Sequence, residues 1–290
     1  SCSESLNRLV QYNADVDCWY ALLHEMNNID FRGDSQYLFY CKSHFDAGVS
    51  TKNVSTLLKL HMISSGMKTT PSPEYSRLPS NSSLELFCPS QSYIQFQDVI
   101  GILGEYNNRS DILSKYLSIF HVIENFMFKE PIVRLERSSS GSMFSIRDFK
   151  RLYKSVDMDE QKAVKNLLKE AFEINFNEEK LKIFAYREWQ GFLTRNSTKQ
   201  DQIYDFLCLL SITDYAHVNG GNFCDFIARI VYQLRCSIVH NKETEFHVSS
   251  ENYPEGCKLI LEDFLLRFLE ELIFLLVSRD NSIVWYTSES

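Results

Sequence analysis

Glycine and proline are scarce in this chain, ten and six among 290 residues. That argues against a turn-rich all-β architecture and for helices joined by short polar loops. Excess positive charge is missing too: the formal net charge is −8, so any contact with nucleic acid needs a local cluster of Lys and Arg. No run reaches the roughly 20 apolar residues of a membrane span. The nearest approach, Leu259 to Val277, is broken by Glu262, Asp263, Arg267, Glu270 and Glu271. No CxxC pair occurs among the eight cysteines, which are scattered and partly set within apolar helical patterns. They read as reduced thiols of a cytoplasmic protein. The first residues, SCSESLNRLVQYN, lack the basic and apolar blocks of a signal peptide.

What is present is core-forming material: 44% hydrophobic and 13% aromatic residues, the content of a well-filled globular chain. Residues 1–92 show short apolar clusters between polar segments, with Val54 to Met67 readable as a short helix, and an α+β character is left open there. Thr69 to Ser83, TTPSPEYSRLPSNSS, is a Pro/Ser-rich connector. In the N-terminal region Cys18, His24, Cys41 and His44 are of types that zinc accepts. The wide Cys18–His24 spacing across the core-like WYALL favours buried thiols and ordinary histidines instead. No metal and no cofactor are expected.

From residue 93 onwards the pattern is helical. Ile112, Tyr116, Ile119, Phe120, Ile123, Phe126 and Met127 mark one face of a helix capped by Ser110 or Asp111, with Pro131 expected to end it. Glu124 and His121 sit on this helix one turn apart. Arg134 to Ser142 reads as loop, and Ser145 to Tyr153 as a further helix. Arg134, Arg137, Arg147, Lys150, Arg151 and Lys154 form the densest basic region, a candidate phosphate-facing patch or a solvated helix face. Asp159 to Phe172 is an amphipathic helix. Asn175 to Ser197 is less regular, anchored by Trp189, Phe192 and Leu193. Gln202 to Thr213 is apolar and helical, and Glu255 to about Arg279 is the last long helix. The tail Ile283–Tyr286 reads as a short strand or an apolar clasp. The expected fold is therefore mainly α, a helical bundle over 93–290 with a less regular N-terminal region over 1–92.

The stretch that invites a functional reading is Asn222 to His247, NFCDFIARIVYQLRCSIVHNKETEFH. Asn222 is placed as an N-cap with Asp225 three residues on, and Phe223, Phe226, Ile227, Ile230, Val231 and Leu234 follow at helical spacing. Late in that run stand Arg235 and His240. Cleaving RNA without metal requires a base for the 2′-hydroxyl proton, an acid for the leaving 5′-oxygen and fixed positive charge for the phosphorane between them. Imidazole titrates near neutral pH, and guanidinium stays charged and forks onto phosphate oxygens. Asn241 is a hydrogen-bond partner for substrate or for His240. Glu124 is a carboxylate that could hold Arg235, and Lys242, Arg147, Lys150 and Arg151 are candidate RNA contacts. Residues five apart on a helix differ by about 140° and rise about 7.5 Å. Either the helix ends or bends before His240, or a second surface completes the cleft.

Arg235 to His240, RCSIVH, fits the R-x4-6-H signature of the HEPN superfamily (higher eukaryotes and prokaryotes nucleotide-binding). Its surroundings resemble the HEPN nucleases of bacterial antiphage systems, and SKYLSIFHVIENF (Ser114–Phe126) is similar to an earlier helix of that fold, which often carries a Glu. The resemblance spans roughly the last two hundred residues. It implies an endoribonuclease of defence or growth arrest, a homodimer whose motifs share a composite active site, and an inhibitory or activating protein partner. The chain departs from the pattern in two places. Cys236 follows the Arg where Asn, Asp or His is common, and Lys242 stands where the AMP-transferring members carry a tyrosine. A catalytically silent dimerisation or RNA-binding module and a nucleotide-sensing regulator are the alternatives.

Overall fold

The chain divides into two units, Ser1–Pro71 and Ser72–Ser290. The structure, a computed structural model, describes residues 75, 91–139, 145–156, 159–176, 178–239 and 246–287, all in the second unit. The four zinc-type residues of the N-terminal region, its expected short helix over 54–67, the connector apart from Tyr75, and His240, Asn241 and Lys242 lie outside the described residues.

Among the described residues 74% are helical and the sheet has two strands, so the fold is mainly α. A short 3-10 turn (Ile94–Phe96) leads into α1 (Gln97–Asn108), followed by α2 (Ile112–Ser139), α3 (Ile146–Val156) and α4 (Glu160–Ala171). A small hairpin, β1 (Asn175–Phe176) and β2 (Glu179–Lys180), pairs Asn175 with Lys180 and Phe176 with Glu179. Then come α5 (Leu181–Arg195), α6 (Gln200–Leu209), α7 (Phe223–Val239), α8 (Glu255–Ile260), a π turn (Leu261–Leu265) and α9 (Leu266–Ser278). No described helix is long and apolar enough to cross a membrane.

Helix α2 is the axis, touching α1, α3, α4, α7 and α9. Its apolar face, including Ile112, Tyr116, Ile119, Phe120, Ile123 and Phe126, is buried almost completely. Asp111 caps it, accepting a hydrogen bond from the Ser114 amide at 2.7 Å. Pro131 does not end this helix, and residues 134–139 are helical rather than loop. A proline inside a helix removes one backbone bond and costs ~3 kcal/mol or more. Tertiary contacts beyond it offset that cost. Val133 is fully buried, and Arg137 reaches the carboxylate of Asp280 at 2.7 Å and the carbonyls of Asn281 and Trp285.

Those bonds also show what the tail does. Ile283 and Val284 are buried in a turn and Trp285 is buried just after it, none of them in a strand. Trp285 donates through Nε1 to the Leu276 carbonyl at 2.9 Å and lies edge-on to Phe96, with ring centroids 5.0 Å apart. The tail is an apolar clasp.

The segment from Asn175, read as irregular, is a hairpin and then the regular helix α5. Its Trp189 sits edge-on to Phe226 of α7 and Phe264 of the π turn, both at 5.2 Å; contacts of this kind contribute about 0.5–1.5 kcal/mol each beyond area burial. Helix α4 lies antiparallel to α7. Lys165 pairs with Asp225 at 2.7 Å near one end and Glu160 with Arg235 at 3.7 Å near the other.

Candidate functional site

Helix α7 buries the apolar face expected of it: Phe223, Phe226, Ile227, Ile230, Val231 and Leu234 are all inside. Its start is built differently from the expected capping box. The Asn222 side chain reaches backwards, accepting from the Asn219 amide at 2.7 Å and donating to the His217 carbonyl at 3.0 Å. Asp225 is taken by Lys165. The turn thus holds itself together, and the α4–α7 contact uses the carboxylate.

At the other end, Arg235 lies in the last two turns of α7, with its side chain 18% exposed. Its guanidinium carbon stands 5.5 Å from the centroid of the Phe120 ring on α2, within cation–π range. The Glu160 carboxylate, in the first turn of α4, approaches it at 3.7 Å. An anion at a helix start and a cation towards a helix end are each favoured by the helix dipoles. One turn earlier, Tyr116 donates its hydroxyl to the Val231 carbonyl at 2.5 Å. Burial, with Cys257 and Cys236 nearby, pushes that phenol well above its ordinary range, and Arg235 opposes the shift. Tyr116 and Phe120 on α2 therefore match Val231 and Arg235 on α7, one turn apart on each helix.

This register explains where Glu124 falls. It is one further turn along α2, at the level of Val239 and not of Arg235. Among the described residues, the carboxylate within ion-pair distance of Arg235 is that of Glu160. Glu160 was not legible as a partner because the only local signal, an acidic pair at a helix start, has an adequate local explanation as dipole matching. Nearby, burial and the neighbouring Cys236 thiol, with the acidic Glu160 and Asp159, push the Tyr232 phenol up to about 12. Cys236 thus packs against a tyrosine on its own helix.

The basic region divides in two. Arg134 pairs with Glu130 at 3.2 Å and Arg137 is bound to the tail clasp, so both have partners within the fold. Arg147, Lys150 and Lys154 are exposed on α3; the side chain of Arg151 lies outside the described residues. His121 is exposed on α2. His247 is half-buried, its Nδ1 enclosed without a hydrogen-bond partner among the described residues, and its carbonyl accepts from Asn252 at 2.7 Å. Among the described residues no three His, Cys, Asp or Glu side chains gather in a metal-binding arrangement.

The fold and site define a mainly α protein with a half-buried arginine at the meeting of three helices. Comparison with protein-family models, with curated proteins and with solved structures returned no match.

Proposed function

We propose that this chain is a metal-independent endoribonuclease of HEPN type, with Arg235 and His240 as the acting pair in a composite site shared by two copies. The observation that carries this reading is the setting of Arg235. Three helices hold its guanidinium by a ring face and a carboxylate, while leaving part of it open to solvent. It sits five residues before the only imidazole of the RCSIVH motif. A guanidinium prepositioned in this way stabilises the charge that builds on phosphate in the transition state.

In the reaction, His240 takes the proton of the ribose 2′-hydroxyl, and the 2′-oxygen attacks phosphorus. The phosphorus–5′-oxygen bond breaks, and the leaving oxygen is protonated by an imidazolium. The products are a 2′,3′-cyclic phosphate and a 5′-hydroxyl. Glu160 is a positioning residue for Arg235 before substrate binds; phosphate then takes over as the guanidinium's anionic partner. Glu124, level with the last turn of α7, is a carboxylate for orienting His240. Asn241 and Lys242 contact the substrate. A role in defence or growth arrest calls for a restraining or activating partner protein.

The test is incubation of the chain with RNA in EDTA. Wild type is expected to release fragments ending in 2′,3′-cyclic phosphate, and His240→Ala and Arg235→Ala to release none. Wild type cutting no better than His240→Ala under any activating condition overturns the reading.

A second reading has its own observation. The Glu160 pair also suits an arginine that only pins α4 to α7, in a catalytically silent RNA-binding or dimerisation module. RNA binding without cleavage in the same experiment selects it.

A further inference from the structure

Helix α3 carries the least compensated positive charge among the described residues. Asp148, its one acid, is spent on the helix start: it accepts hydrogen bonds from the Ser145 amide at 3.0 Å and the Ser145 hydroxyl at 2.6 Å. At about 100° per residue, Tyr153, Ile146, Lys150, Lys154 and Arg147 fall within about 120° of one another. Asp148 falls outside that arc. All five are exposed, Ile146 at 79% and Tyr153 at 61%. Among the described residues no carboxylate pairs with Arg147, Lys150 or Lys154, in contrast to Arg134 and Arg137.

An exposed aromatic ring flanked by unpaired cations is the composition of a single-strand nucleic-acid platform, with cations along the phosphates and the ring beneath a base. We propose that α3 is the docking ridge for a single-stranded segment of the RNA substrate, with Tyr153 stacking on an unpaired base and Arg147, Lys150 and Lys154 following the backbone. This rests on the reading of RNA as substrate and adds which form of it is bound. Paired bases keep their faces inside the duplex, and the deep, narrow major groove of A-form RNA does not admit side chains. A duplex can therefore use the cations but not Tyr153.

The ridge is also tied to the candidate site. Only three residues of chain separate Val156, the end of α3, from Glu160, and these four steps span at most about 15 Å. Three more residues of helix bring Tyr153 in with about another 4.5 Å. A strand lying along α3 reaches the Arg235–Glu160 pair within a few nucleotides.

The experiment uses the full chain carrying His240→Ala, so that binding is read without cutting. Anisotropy is measured with a short fluorescein-labelled single-stranded RNA of mixed sequence and with its duplex. The single strand is expected to bind more tightly. Tyr153→Ala should weaken it about tenfold, as loss of one base–aromatic stack does, while Tyr153→Phe stays near the parent. Lys150→Ala with Lys154→Ala should flatten the salt dependence. Unchanged melting temperatures identify these as binding effects. Equal affinity for the duplex, an unaltered Tyr153→Ala, or preference for anionic phospholipid vesicles over RNA overturns the proposal. The two readings fail separately. Cleavage by wild type with normal binding by Tyr153→Ala removes the ridge and leaves the nuclease; Tyr153-dependent binding without cleavage does the reverse.

Discussion

At the scale of the residue, the weight falls on Arg235 and what holds it. Its partner Glu160 is 39% exposed, so solvent screens the pair and its contribution to stability stays under about 1 kcal/mol. The two are separable by substitution. Arg235→Lys keeps the charge but loses the planar fork and the face-on contact with Phe120. Its melting temperature should stay close to wild type while kcat falls by about a hundredfold, the scale of losing one transition-state donor. Glu160→Gln should act in the opposite sense on binding. With the competing carboxylate neutralised, KM for RNA is expected to fall a few-fold, and kcat to fall less than in Arg235→Lys. Steady-state kinetics on one RNA decide this. A drop in melting temperature with KM unmoved would mark Arg235 as a pin between helices and nothing more.

At the scale of the element, α6 and α8 approach each other tightly at Gly256. A Cβ on Gly256 would stand 2.1 Å from the Gln202 carbonyl oxygen and 2.7 Å from the Phe206 Cβ. Neither can move without shifting a helix. Gly256→Ala is therefore an overpacking change of about 1–3 kcal/mol or more, expected to lower the melting temperature by about 5–10 °C in a thermal melt followed by circular dichroism. A melt unchanged within error would show that α6 and α8 stand further apart. Such pairings are the part of the fold that composition and periodicity do not carry. The buried face of α7 was readable from Phe223 to Leu234 because burial on one side imposes a 3.6-residue period on the chain itself. The continuation of α2 through Pro131 was not, because the local penalty is outweighed by Arg137 meeting Asp280 and Trp285 far along the chain. Separation in sequence likewise hid the Glu160–Arg235 pair, while Arg235 itself stood out for its place in the motif.

At the scale of the whole molecule, the question is how many copies complete the site. Helix α7 is helical through Val239, so Arg235 and the position of His240 differ by the ~140° turn and ~7.5 Å rise of a five-residue step if that geometry carries on. On such a helix one side chain that faces the α2–α4 junction leaves the other facing elsewhere. A second copy that brings its own Arg235 and His240 to the same cleft removes the difficulty, since the arginine of one subunit can then act with the histidine of the other. This has a consequence no single-chain site shares. Arg235→Ala and His240→Ala chains, each inactive alone, should recover cleavage when co-expressed and purified together through two different tags. Each mixed dimer keeps one arginine and one histidine, on opposite subunits. Cleavage by the mixed dimer well above both parents establishes action across the interface. A mixed dimer as inactive as either parent, or a monomer by light scattering at concentrations where wild type cuts RNA, returns the pair to one chain and requires α7 to bend after Val239.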